Sequence, residues 1–281
     1  MRRLFLLAIY LMCQCVLASA TAADGKLIGT AGLMQVEGAG GGGIVPWATL
    51  AGYDSREQIS LNAMFSQVSV DDYRLRAMGA SVSLYDRVEL SVAKQRFDIN
   101  GTDVNIQQDI YGAKVRLSSD AVYGRWPQIS IGWQHKRLRD GAIARTLGAD
   151  NSSHGNDFYL AATKVHLGAL AGYNAVWNVT VRASKANQTG LLGFGSASDN
   201  HYKALLEASA GILLSRHVVI GAEYRQKPNN LGLGEQAWKD IFISYIPSKR
   251  VNFTLAWVDL GSIAGAPEQT GVYFSISGGL L

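Results

Sequence analysis

VNFTLAWV, residues Val251 to Val258, puts Val251, Phe253, Leu255 and Trp257 on one side of an extended chain and Asn252, Thr254, Ala256 and Val258 on the other. Successive strand side chains point to opposite faces, so the stretch reads as a half-buried β-strand. The pattern recurs. Ile59, Leu61, Ala63 and Phe65 interleave with Ser60, Asn62, Met64 and Ser66, and Ile129, Ile131 and Trp133 with Ser130, Gly132 and Gln134. Trp177, Val179 and Val181 alternate with Asn178, Thr180 and Arg182. From Leu27 to Leu281 there are fourteen candidate strands, the weakest being the first, Leu27 to Val36, and twelve remains possible.

The connections alternate as well. Short links occur at YDSRE (Tyr53 to Glu57), YDRVEL (Tyr85 to Leu90), LSRHVVI (Leu214 to Ile220) and PSKRVNF (Pro247 to Phe253). Long polar ones span Asp98 to Gln108, Arg139 to Gly155, Ala186 to Asn200, Pro228 to Gln236 and Gly261 to Gln269. Tight turns on one side and long loops on the other describe an up-and-down meander, and an even strand count returns both ends to the tight-turn side.

A soluble sandwich and a membrane barrel give the same alternation with wet and apolar faces exchanged. Here the mid-strand polar positions are mostly Ser, Thr, Asn, Gln, Gly and Ala, which suits a confined interior better than bulk water. Charged residues are 17% of the chain, against about 25% in a typical soluble domain. Tyr53, Tyr85, Tyr173 and Tyr245 stand beside expected short turns, where an aromatic girdle would meet lipid headgroups. The expected fold is therefore an all-β, up-and-down antiparallel transmembrane barrel, with a periplasmic sandwich as the alternative.

The amino terminus agrees with export. MRRLFLLAIYLMCQCVLASATAADG has a basic start, an apolar stretch from Leu4 to Leu17 and small residues at Ala18, Ala20 and Ala22, the pattern of a cleaved signal peptide over residues 1–22. One barrel domain, 23–281, would follow. Both cysteines, Cys13 and Cys15, lie in the signal, so the mature chain has no disulfide and no thiol nucleophile. Without Arg2 and Arg3 the 26 basic residues become 24 against 22 acidic ones, and no global basic field points to nucleic acid. The carboxyl-terminal GVYFSISGGLL keeps Val272, Phe274, Ile276 and Leu280 on one parity, similar to the strand that the barrel-assembly machinery reads, although it ends in Leu281 rather than an aromatic residue. Outer-membrane lipid and that machinery are the expected partners. Oligomeric state has no signature.

EGAGGGGIVPW, Glu37 to Trp47, carries glycines at GxGxxG spacing. Ile44 and Val45 stand where a P-loop needs Lys and a hydroxyl, and Pro46 and Trp47 replace the helix that should follow, so no nucleotide or other cofactor is expected. Six small residues in succession suit a flexible connection, which either joins two strands at the long-loop end or folds inward and narrows the lumen. Together with YDRVELSVAKQRFD from Tyr85, SKANQTGLLGFG from Ser184, AEYRQKPNNLG from Ala222 and VDLG from Val258, the stretch resembles a bacterial family catalogued only as a domain of unknown function. The resemblance spans nearly the whole mature chain. It implies an exported, outer-membrane β-barrel and brings no activity or catalytic residues.

Candidate chemistry is sparse. The five histidines show no metal-ligand spacing, so no metal site is expected. NSSHGND, Asn151 to Asp157, offers Ser152 or Ser153 with His154 for a hydrolase, but adjacent loop residues rarely converge as a triad must. Basic residues on the polar parity are the better candidates: Lys114, Arg116, Lys136, Arg182 and Arg225 as lumen-lining binding residues, joined by Arg74 and Arg76, with Glu207 and Glu223 on the same face. Gly112, Gly132, Gly211 and Gly221 share that parity and would leave room for a solute or an inserted loop. The expectation is a passive channel for small anionic or polar solutes, with no catalytic residue. A closed structural or assembly barrel, and less readily an outer-membrane hydrolase, are the alternatives.

Overall fold

The computed structural model describes residues 26–279, so the expected signal peptide lies outside the described residues. The strands are β1 (Ile59–Val70), β2 (Tyr73–Leu84), β3 (Val88–Ile99), β4 (Asn105–Ser118), β5 (Gln128–Leu138), β6 (His154–Leu170), β7 (Tyr173–Ser184), β8 (Lys203–Leu213), β9 (Val218–Arg225), β10 (Trp238–Ser248), β11 (Val251–Asp259) and β12 (Thr270–Gly279). Each pairs antiparallel with the next. β12 returns to β1, with Ile276 opposite Phe65, and closes the barrel. One short helix, α1 (Ala142–Thr146), sits in the β5–β6 connection.

The two faces are inverted relative to a soluble protein. Leu90, Ile131, Val181, Leu255 and Val272 are exposed on the outside, whereas Asn62, Gln108, Gln134 and Thr180 are buried on the inside. An apolar outer belt and a polar interior are the arrangement of an outer-membrane barrel, in which closure leaves no strand edge unpaired in lipid. Tyr85, Tyr173 and Tyr245 stand exposed near the short-turn rim, as a headgroup girdle requires. The five expected long connections share the opposite rim, which also holds the tight Asp71–Asp72 turn between β1 and β2.

The surplus over twelve strands comes from the chain ahead of Ile59. Residues 26–58 do not enter the wall. They fold into the lumen with only isolated bridges, Met34 to Gly40 and Gly41 to Pro46. Tyr53 is therefore not a girdle residue: it is 6% exposed, and its hydroxyl accepts the Gly29 N–H at 3.1 Å. YDSRE is likewise no hairpin, but the return of this segment to the short-turn rim, where the Tyr85 N–H meets the Gln58 carbonyl.

Candidate functional site: the filled lumen

The inserted segment has little secondary structure, so its peptide groups need other partners in a dry interior. The wall supplies them. Glu89 on β3 accepts the Gly40 N–H at 3.0 Å and the Ala51 N–H at 2.6 Å. Glu223 on β9 accepts from Gly43 and Ile44 at 2.7 and 2.8 Å. Carbonyls are served by cations and amides: Lys114 Nζ donates to Gly40 and Thr49, both at 2.8 Å, and Arg225 to Ile44 at 2.9 Å. Gln128 donates to Ala48 at 2.8 Å, and Asn252 to Gly32 at 2.6 Å. The glycine run thus does gather amides around anions, as a phosphate loop would, but the anions are carboxylates of its own barrel.

Two glycines show why the composition is needed. Gly38 has φ of +93°, which L side chains rarely adopt, and a Cβ on Gly42 would stand 1.9 Å from Glu223 Oε1. The wall glycines do not leave the room expected for a solute or a loop: the wall fills it, a Cβ at Gly132 standing 2.1 Å from the Tyr159 ring and one at Gly221 2.7 Å from the Phe242 ring.

At the centre is Glu37, fully buried. Its Oε1 meets Lys136 Nζ at 2.5 Å and Arg225 Nη2 at 2.8 Å, and its Oε2 lies 3.5 Å from Arg182 Nη2. Asp157 pairs with Lys136 at 2.7 Å and with Arg182 at 3.3 Å, and Glu207 with Arg182 at 2.5 Å and with Arg225 at 3.4 Å. Three cations and three carboxylates balance. Burial alone would raise the Glu37 pKa, yet the facing charges of Arg225, Lys136 and Arg182 win and hold it well below the ordinary carboxylate range.

The lumen is covered from the long-loop end as well. The β7–β8 connection buries Asn187, Gln188 and Thr189, and the Thr189 carbonyl accepts from Lys136 Nζ at 2.9 Å, so one ammonium joins both insertions. Gln188 and Thr189 have φ of 44° and 60° inside this turn. Lys227, beyond β9, ties the cover to its neighbours through Gln188 Oε1 at 2.7 Å, the Ser262 carbonyl at 3.0 Å and Glu235 at 2.7 Å. Burial pushes the Lys227 ammonium down to about 8 against the upward pull of Glu235. The space left beside Arg182 and Arg225, and that between Trp47 and Phe242, is ≈ 10 Å³ each.

Lys114, Arg116, Lys136, Arg182 and Arg225 all lie on the inward parity of their strands. Lys136, Arg182 and Arg225 meet around Glu37; Lys114 sits lower, 3.3 Å from Glu89. Arg116 stands near the short-turn rim, bonded to Asp86 and the Ser119 carbonyl, beside an open cavity of ≈ 610 Å³. Arg74 and Arg76 are corrected: on β2 it is Leu75 and Ala77 that are buried, so the two arginines belong to the outer face. The expected basic excess is corrected too. Glu89, Asp157 and Asp240 join Glu207 and Glu223 inside, and five carboxylates match the five cations. Parity could have found these three, since Glu89 is in step with Ser91 and Gln95, Asp157 with Tyr159 and Ala161, and Asp240 with Ser244. Parity carries no signal for Glu37, which sits on no strand.

For the hydrolase alternative, Ser153 Oγ and His154 Nδ1 are 2.9 Å apart on an exposed turn. Asn151 Oδ1 bonds Ser153 and the turn amides rather than the imidazole, so Asn151 does not supply the orienting group of a triad.

The family model described as "Protein of unknown function (DUF3034)" matches residues 30–277. The chain belongs to that family. No curated protein matches it. Among solved structures the chain is similar to the KdgM porin, at 10% identity and a TM-score of 0.49, covering 77% of this chain and 97% of that one. It is also similar to the outer membrane protein Omp33 of Acinetobacter baumannii, at 6% identity and 0.48, covering 80% and 100%. LpxR from Salmonella typhimurium stands at 13% identity and 0.47, covering 78% and 99%. These likenesses are of barrel shape and carry no function across.

Proposed function

We propose that this family member is an outer-membrane channel for small anionic or polar solutes that is closed at rest, its lumen occupied by residues 26–58 rather than by side chains of the wall. The observation that carries this is the Glu37 cluster. Lys136, Arg182 and Arg225 face only Asp157 and Glu207 from the wall, so the wall alone forms a site with one excess positive charge, and Glu37 occupies it as a solute carboxylate would.

Connectivity supports displacement. The segment enters and leaves at the short-turn rim, with Lys26 paired to Asp86 at 2.7 Å and Gln58 beside Tyr85, so it can withdraw without threading. Its grip is both polar and apolar: water can replace the hydrogen bonds as it leaves, whereas Met34, Val36, Ile44, Val45 and Trp47 must leave a buried cluster shared with Val68, Phe97, Ile110, Val176 and Phe242 of the wall. The test is conductance in planar bilayers. Wild-type protein should insert and stay mostly closed, and a variant lacking residues 27–54 should conduct with a reversal potential on the anion side. A deletion variant that inserts, keeps the heat-sensitive gel mobility of a closed barrel and never conducts would instead support a structural barrel.

A further inference from the structure

The arginines that leave the lumen define a second feature. On the outward parity of β2 to β5 the residues nearer the short turns are apolar: Ala80, Val82 and Leu84, then Leu90 and Val92, then Tyr111 and Ala113, then Ile131 and Trp133. Toward the long-loop end the same faces carry Arg74, Arg76, Lys94, Arg96 and Arg137, with Arg139 just past the end of β5, against Asp98 and Asp109. On the strands five cations oppose two carboxylates at the edge of the apolar belt. On the outward face of β10 and β11, by contrast, Lys239 has its own Asp259, 3.9 Å away. Asp71, Asp72 and Asp103 belong to connections beyond the strand ends.

The patch is under-compensated in detail. Arg76 and Arg96 are direct cross-strand partners, a pairing of like charges that destabilises a sheet unless an anion intervenes. Asp98 alone serves both, at 2.6 Å to each, and Arg76 Nε is buried without a hydrogen-bond partner. Asp109 is taken by both donors of Arg139, at 3.0 Å. Arg74 faces Asp98 across the sheet, and Lys94 and Arg137 both face Asp109. Yet these three cations are exposed and make no ion pair within 4 Å among the described residues, since the two carboxylates are engaged by Arg76, Arg96 and Arg139.

We propose that this face binds a phosphorylated glycolipid of the outer leaflet, of the lipid A type, through its phosphates. The chemistry requires acyl chains and anions in one molecule, because the cations border an apolar wall instead of standing in water. Guanidinium groups match phosphate oxygens bidentately. Four neighbouring strands span about 15 Å at the usual sheet spacing. That is broad for one phosphodiester and fits a headgroup carrying two phosphates. The inference rests on the outer-membrane placement and not on whether the lumen opens.

The test is native mass spectrometry of the full mature barrel in detergent, titrated with bisphosphorylated lipid A, its dephosphorylated form and phosphatidylglycerol. The bisphosphorylated lipid should bind tightest. The triple variant Arg74→Gln, Lys94→Gln, Arg137→Gln should weaken it about tenfold, because three charge-assisted contacts are lost. Lys239→Gln should leave it unchanged. Equal affinity of the wild type for phosphorylated and dephosphorylated lipid overturns the proposal, and this arm needs no variant to fold. So does phosphatidylglycerol binding as tightly, or a triple variant of unaltered gel mobility that binds like the wild type.

Discussion

Replacing Glu37 by Gln removes one negative charge from a buried group of three cations and three carboxylates and keeps the side chain's size. In the seated state this leaves Lys136, Arg182 and Arg225 with only Asp157 and Glu207. Removing one partner of a buried ion pair costs about 3–5 kcal/mol, because the remaining charge has neither water nor counterion. With the segment withdrawn, water can reach those cations, so the penalty falls on the seated state. At 1.36 kcal/mol per factor of ten, the ratio of seated to withdrawn segment should drop by roughly two to four orders of magnitude. Hydrogen exchange at the amides of Gly40, Gly43, Ile44 and Ala51 reads this directly, since each is now protected by a wall carboxylate. All four should speed up together, and openings in bilayers should become more frequent. Adding Lys136→Met restores charge balance and should recover much of the protection. Unchanged exchange in Glu37→Gln would refute the argument, since it would mean that the cluster does not hold the segment.

Three further outcomes follow from the same contacts. Gly42→Val should prevent seating, because its first side-chain carbon collides with Glu223 Oε1, and should accelerate exchange along the glycine run while leaving the strand amides protected. Because Glu37 titrates below its usual 4.5, its contribution is whole above about pH 4.5 and erodes as pH falls toward the folded value; protection of the segment amides relative to their intrinsic exchange rate, measured from pH 6 to pH 3, should fall only below about 4.5. Lys227 is the reverse case: with a folded value of about 8 against an ordinary 10.5, the unfolded loop holds a proton that the folded one has released, so the outer cover should tighten between pH 8 and 10.5 and lose that dependence in Lys227→Met.

The alternation in Val251–Val258 and its relatives determined the wall, because a strand's two-residue period assigns each side chain to lipid or lumen whatever its neighbours do. The turn and loop ends and the inward placement of Lys114, Lys136, Arg182 and Arg225 were legible in the same local pattern. Where the rule was applied without checking step, as at Arg74 and Arg76, one residue of register put them on the wrong face. The sequence also marked Gly38 to Gly43 as unfit for a strand. Only the tertiary structure decided that this run lies inside the barrel with Glu37 among three cations. The partners that stabilise it, Glu89, Lys136, Arg182, Glu223 and Arg225, are up to 188 residues away, and closure of the barrel, not any local preference, brings them together.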